Sequence, residues 1–280
     1  MRFAVSVVTP FNYPHSAAFD EVAQTLQHGL QALGHDAVVS SRLDNRRRRH
    51  IVLGANLLQK YPAPVPDDAV FYNLEQISPE SVWFRAGLLD VLRTRPCWDY
   101  SHGNAAALAA AGAHVAAVLP LGYAPALTRI APADEDIDVL FYGSLNERRA
   151  VVLRELTRRG LRVKHLFGAY GAERDAWIAR ARIVLNMHYF DAKVFEAVRV
   201  TYLLANRRFV VSERGSDAAE EAAYEHALAF SAYETLADTC ERCLADPALR
   251  RRTADAGFEF MRQRPIQTLL APALATLDGA

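Results

Sequence analysis

Short apolar runs separated by longer amphipathic stretches recur along the whole of this 280-residue chain. That alternation constrains the fold more than any other feature. Parallel strands need a crossover of a dozen or more residues between them, which a helix supplies, so the pattern predicts parallel sheets covered by helices. In the first half it predicts strands over 3–8, 37–39, 51–53, 70–72 and 115–119, with helices over 16–33, 81–92 and 105–111. In the second half it predicts strands over 137–143, 161–166, 183–186, 209–212 and 228–230. Helices are expected there over 148–159, 173–180, 195–204, 233–244 and 249–262.

Between residues 121 and 136 the periodicity stops, and Pro125, Pro132 and an acidic cluster take over. This predicts a boundary near 125, with one domain over 1–125 and a second over 126–280; packing of the final helices back on the first domain is an option left open. The fold class expected is α/β, two Rossmann-like doubly wound domains.

Composition removes several function classes. Lys plus Arg and Asp plus Glu both number 32, so no overall basic footprint for nucleic acid is present. Only Lys60, Lys164 and Lys193 are lysines, and the arginine-over-lysine bias together with the alanine richness reads as base composition rather than function. No apolar run approaches the roughly 18 residues of a membrane span. The opening MRFAVSVVTPF lacks the pattern of a signal peptide, so the expected location is cytoplasmic. Cys240 and Cys243 are spaced as CxxC without a second pair, on a stretch with helical periodicity, and read as buried thiols. The run RLDNRRRRH (42–50) reads as a solvated loop, with a phosphate-attracting patch as the alternative.

GxGxxG, GxxxxGK[ST] and GxSxG are all missing. The informative segments lie in the second half. FYGSLNERR (141–149) ends a strand at Gly143 and opens a helix with Ser144 or Asn146 as cap, followed by Arg148 and Arg149. A glycine permits close backbone approach, helix-start amides attract anions, and guanidinium groups fork onto phosphate oxygens. Farther on, Asn186 and His188 follow a buried strand, Glu196 opens the next helix, and strand FVVS leads to Glu213.

The order of strand, polar loop, Glu-initiated helix, strand and acidic loop resembles the sugar-nucleotide half of GT-B glycosyltransferases. It is most similar to the short "glycosyl transferases group 1" domains of bacterial proteins, over about residues 138–264, including CLADPALRRRTADAGFEFMRQR (243–264). The resemblance implies two domains facing each other across a cleft and a nucleotide diphosphate sugar as donor substrate, with no further cofactor. It implies that Glu196 grips the ribose, and that Gly143, Ser144, Asn146, Arg148 and Arg149 handle the diphosphate, with Asn186, His188 and Glu213 in the same donor site. Retaining members commonly carry EGFG-x-x-x-x-E, whereas no glycine lies between Asn186 and Arg199 here.

The first half would present the acceptor, whether small molecule, glycan or protein. A helix starting at Ser16 would offer its amides to the donor phosphates, and His15, Glu75 and His102 are the candidate bases for the acceptor hydroxyl. No Asp-x-Asp metal motif accompanies a strand end, so no metal is expected in leaving-group stabilisation. The alternative function is a non-catalytic nucleotide- or glycan-binding protein on the same scaffold. A two-lobed metabolite-binding protein of periplasmic type is the remaining, less favoured alternative.

Overall fold

The computed structural model describes residues 1–277. The chain divides into two compact units, Met1–Ala126 with Arg264–Ala280, and Leu127–Gln263. In the first unit, β1 (Arg2–Val7), β2 (Asp36–Ser40), β3 (Arg49–Leu53), β4 (Val70–Asn73), β5 (Cys97–Asp99) and β6 (Val115–Val118) form one sheet. Its order is β2-β1-β3-β4-β5-β6 and every pairing is parallel. The helices are α1 (Asp20–Ala32), the short α2 (Val82–Arg85) and α3 (Leu88–Leu92), and α4 (His102–Ala110).

The second unit repeats the plan with β7 (Ile137–Tyr142), β8 (Val163–Leu166), β9 (Ala181–Asn186), β10 (Val210–Glu213) and β11 (Ala229–Ser231). These are all parallel, in the order β11-β10-β9-β7-β8. Around them lie α5 (Glu147–Arg158), α6 (Gly171–Ala179), α7 (Ala197–Ala205), α8 (Ala218–Ala222), α9 (Leu236–Ala245) and α10 (Pro247–Arg262). The last helix, α11 (Ile266–Ala275), belongs to the first unit, where Ile266 and Leu270 pack at Gly29 of α1.

The inner strands β1, β4, β7 and β9 are buried almost throughout and read as near-continuous apolar runs, which explains their legibility, whereas the edge strands β2, β6 and β8 are only partly buried. Val139, Phe141, Ile183, Leu185 and Val211 share one core with Val152 and Leu156 of α5 and Leu236 and Cys240 of α9. Both cysteines of the CxxC spacing are therefore buried thiols, and burial pushes Cys240 up to about 12.

Three expectations are corrected. β5 is absent from the sequence reading because three buried residues give no periodicity. The helix expected over 81–92 breaks into α2 and α3 at Gly87, which adopts φ +91°. The helix expected from Ser16 begins instead at Asp20, after a 3-10 turn over Pro14–Phe19. Ser16 is buried and donates to the Val8 carbonyl at 2.8 Å, while Asp20 and Glu21 occupy the first turn of α1. Carboxylates there complement the helix dipole. Of the RRRR run, Arg46 and Arg47 are exposed, as expected of a solvated loop, whereas Arg48 and Arg49 are built into the fold. Arg48 forks onto Asp36 at 2.9 Å through both amino nitrogens, and Arg49 donates to the carbonyls of Asp68 and Leu277.

Candidate active site

The nine residues expected on the donor side gather in the second unit at the carboxyl ends of β7, β9 and β10, where open α/β sheets hold ligands. Asn146 caps α5, accepting from the Arg149 amide at 3.0 Å, and its own Nδ2 donates to the Tyr189 carbonyl at 2.9 Å. Helix geometry leaves the remaining first-turn amides, those of Glu147 and Arg148, without intrahelical acceptors. Ser144 is exposed beside them.

Gly143 sits at φ +131°, a conformation that L side chains rarely adopt, and an added Cβ would lie 3.0 Å from Nη2 of Arg199. Gly143→Ala is expected to lower stability by about 1–3 kcal/mol, measured by urea denaturation, because both φ and the guanidinium must yield.

The two arginines do not extend freely into the site as expected. Arg149, with a side chain only 3% exposed, donates to the carbonyls of Ser144, Met187 and His188 and to Oε1 of Glu196 at 2.7 Å. Burial pulls its guanidinium down to about 10, with Glu196 pulling the other way, so it stays cationic at neutral pH. Arg148 forks onto Glu213, with 2.6 Å between Nη1 and Oε2, and its guanidinium carbon lies 3.9 Å from the Tyr233 ring centroid. Both arginines are thus paired within the site, Arg148 with Glu213 and Arg149 with Glu196.

Glu196 immediately precedes α7 but does not cap its amides. Its carboxylate instead spans two arginines: Oε1 meets Arg149 and Oε2 meets Arg199 at 2.6 Å. Arg199 also donates to Asn186 Oδ1 at 2.8 Å, and Asn186 donates to Ser212 Oγ at 3.0 Å. Arg199 is the residue that sequence reading missed. Its signal was the i, i+3 spacing from Glu196, which puts both on one helix face.

Glu213, buried on β10, accepts the His188 amide at 3.0 Å besides the Arg148 pair. His188 is fully buried and neither ring nitrogen has a hydrogen-bond partner. Burial pushes its imidazole below the usual value, against the pull of Glu196 and Glu213, which keeps the ring neutral at pH 7.

The three candidate bases all lie in the first unit. His102 is exposed on the first turn of α4. His15 lies in the 3-10 turn, edge-on to Tyr13 at 5.3 Å between ring centroids. Glu75 is different. It follows β4, and its Oε1 accepts from Asn56 Nδ2 at 3.0 Å. Its carbonyl is held by Asn73 and Asn104, and Asn73 in turn donates to buried Asp99 at 2.7 Å. Burial pushes the Glu75 carboxyl up to about 7, the value suited to a proton acceptor at neutral pH. Among the described residues, no group of three or more His, Cys, Asp or Glu side chains is gathered to hold a metal ion.

The family model described as "Glycosyl transferase-like" matches residues 126–266, just over half of the chain and the whole of the second unit. The chain belongs to this glycosyl transferase-like family. Its two parallel sheets are those of GT-B glycosyltransferases, as similar solved structures show. One is Anabaena Alr3699/HepE in complex with UDP and glucose, 14% identical, with a TM-score of 0.63 over 98% of this chain and 99% of that one. Another is AviGT4, a glycosyltransferase involved in avilamycin A biosynthesis, 18% identical, with a TM-score of 0.57 over 100% and 99%. An uncharacterized protein, L138, of Acanthamoeba polyphaga mimivirus is 36% identical over 67 residues, 23% of this chain and 8% of that protein. The chain therefore spans a small part of that relative. Among the described residues no helix is long and apolar enough to cross a membrane.

Proposed function

We propose that the chain transfers a sugar from a nucleotide diphosphate donor to an acceptor hydroxyl. The observation that carries this reading is the convergence of Gly143, Asn146, His188, Glu196 and Glu213 on one sheet end of the family-matched unit. The complexes of Anabaena HepE with UDP and with UDP-glucose add weight to a nucleotide-sugar donor.

Transfer makes a bond from the acceptor oxygen to the anomeric carbon and breaks the bond from that carbon to the diphosphate. Glu75 takes the hydroxyl proton, in preference to His15 and His102, because its carboxylate is held by Asn56 and burial raises its affinity for protons to about neutrality. The α5 amides and Arg199, whose Nη2 faces Gly143, stabilise the departing diphosphate without a metal. The fully engaged Arg148 and Arg149 favour the second reading, a protein that binds nucleotide or glycan without turnover.

Thermal unfolding with UDP, GDP and dTDP tests the donor. One nucleotide, present at a hundredfold excess over its dissociation constant, should add about 2.7 kcal/mol of stability. No protection by any of them at millimolar concentration would overturn the reading.

A further inference from the structure

Beyond the carboxyl ends of β1 and β2 in the first unit, beside the segment that follows β3, lies an open crevice of about 670 Å³. The chain passes from β1 to β2 on one side, then returns to β3 on the other, so the strand order reverses beside β1. Crevices at such reversals are where open α/β sheets take ligands, and this volume lies within the range of small-molecule sites.

Three segments line it: 8–11, 41–44 and 60–64. Most of the lining is apolar or aromatic. Phe11 is 91% exposed, and Tyr61 packs its ring 6.2 Å from that of Tyr13. An isolated exposed phenylalanine means little, but one at the mouth of a cavity beside a tyrosine offers a flat surface to a ring.

The charges are unequal. Arg42 and Asp44 cancel through two hydrogen bonds of 3.0 and 2.6 Å. Lys60 stands over the Tyr61 ring, 5.5 Å from its centroid, and forms no ion pair among the described residues. One positive charge is left to face the cavity.

We propose that this cavity binds a sugar-sized ring compound carrying a single anionic group, its apolar face on Phe11 and Tyr61 and its anion against Lys60. A sugar carboxylate and a sugar phosphate share that chemistry. Naming this ligand the acceptor, and so the acceptor an acidic sugar, rests on the transferase reading; the binding site does not. Tyr13, whose ring lies 6.2 Å from that of Tyr61, has its phenol raised by burial and then by the Glu75 carboxylate.

Calorimetric titration of the whole chain at low salt tests the site with two probe pairs. These are 4-nitrophenyl β-D-glucuronide against 4-nitrophenyl β-D-glucoside, and glucose 6-phosphate against glucose. The charged member of at least one pair should bind about tenfold tighter, and the pair that does so distinguishes carboxylate from phosphate. Lys60→Gln should bring the two members within about twofold, and raised salt should do the same. Phe11→Ala should weaken both members by about tenfold. Failure of both charged probes to bind below about 10 mM, or a preference that survives Lys60→Gln, overturns the proposal. So does displacement of the probe by UDP, which would move it to the donor site. If no nucleotide binds while a charged probe does so through Lys60, the transferase reading fails and this site stands.

Discussion

Glu75→Gln is expected to slow transfer by about 10²–10⁴-fold while nucleotide affinity stays within about twofold of the parent, since the amide cannot take a proton. A binding protein without turnover would have no rate to lose, so the same variant separates the two readings. In the parent, kcat/KM should rise with pH through the Glu75 value near 7, because only the ionised carboxylate accepts the hydroxyl proton. Stability should run the other way. Below pH 4.5 folded and unfolded chains both hold the Glu75 proton, and the group contributes nothing. Between 4.5 and about 7 the unfolded chain releases that proton while the folded chain retains it, so stability falls as pH rises. The fall reaches about 3 kcal/mol above pH 7, at roughly 1.4 kcal/mol per pH unit. Glu75→Gln should flatten this slope in urea melts taken from pH 4 to 8. An unchanged slope would show that the carboxyl titrates near its ordinary value and remove the basis for its role as base.

The second large effect is expected at Glu196. Removing its charge leaves Arg149 and Arg199, both shielded from water, without their shared carboxylate. Breaking a buried pair from one side costs about 3–5 kcal/mol. Glu196→Gln keeps the shape and an acceptor oxygen, so it should sit near the lower end of that range, with Glu196→Ala near the upper. UDP affinity should fall by about ten- to a hundredfold in Glu196→Gln, the worth of a hydrogen bond to a charged group. Urea denaturation and nucleotide titration on the same samples read the two effects apart. If stability drops while affinity holds, Glu196 is a strut for the arginines and not part of the donor site.

Glu196 also shows how far the sequence reaches. Its place at the opening of a helix after a buried strand is legible, because strand and helix periodicities are local properties of the chain. The use of its carboxylate is not. Arg149 lies 47 residues earlier and meets it only because β7 and β9 are neighbours in the sheet. Glu213 is the same case: its strand is readable, but its grip on Arg148, 65 residues away, depends on β10 lying beside β9. Arg148 and Arg149 read as free phosphate ligands because a sequence shows the charge of a side chain and not which partners fill its donors.

Glu75 and the cavity at Phe11 divide along the same line. A carboxylate at a strand end is visible as a polar residue after an apolar run, but its affinity for protons comes from what surrounds it. Lys60 and Phe11 carry no signal at all until β1, β2 and β3 bring three distant loops together.

Alternation of apolar runs and amphipathic stretches by itself determined two parallel α/β sheets, since a strand buried on both faces and a helix buried on one have different repeats that no tertiary contact can erase. Strand order and the pairing of every site charge were decided only in three dimensions. Those features depend on which segments become neighbours, and burial acts on neighbours in space whatever their separation along the chain.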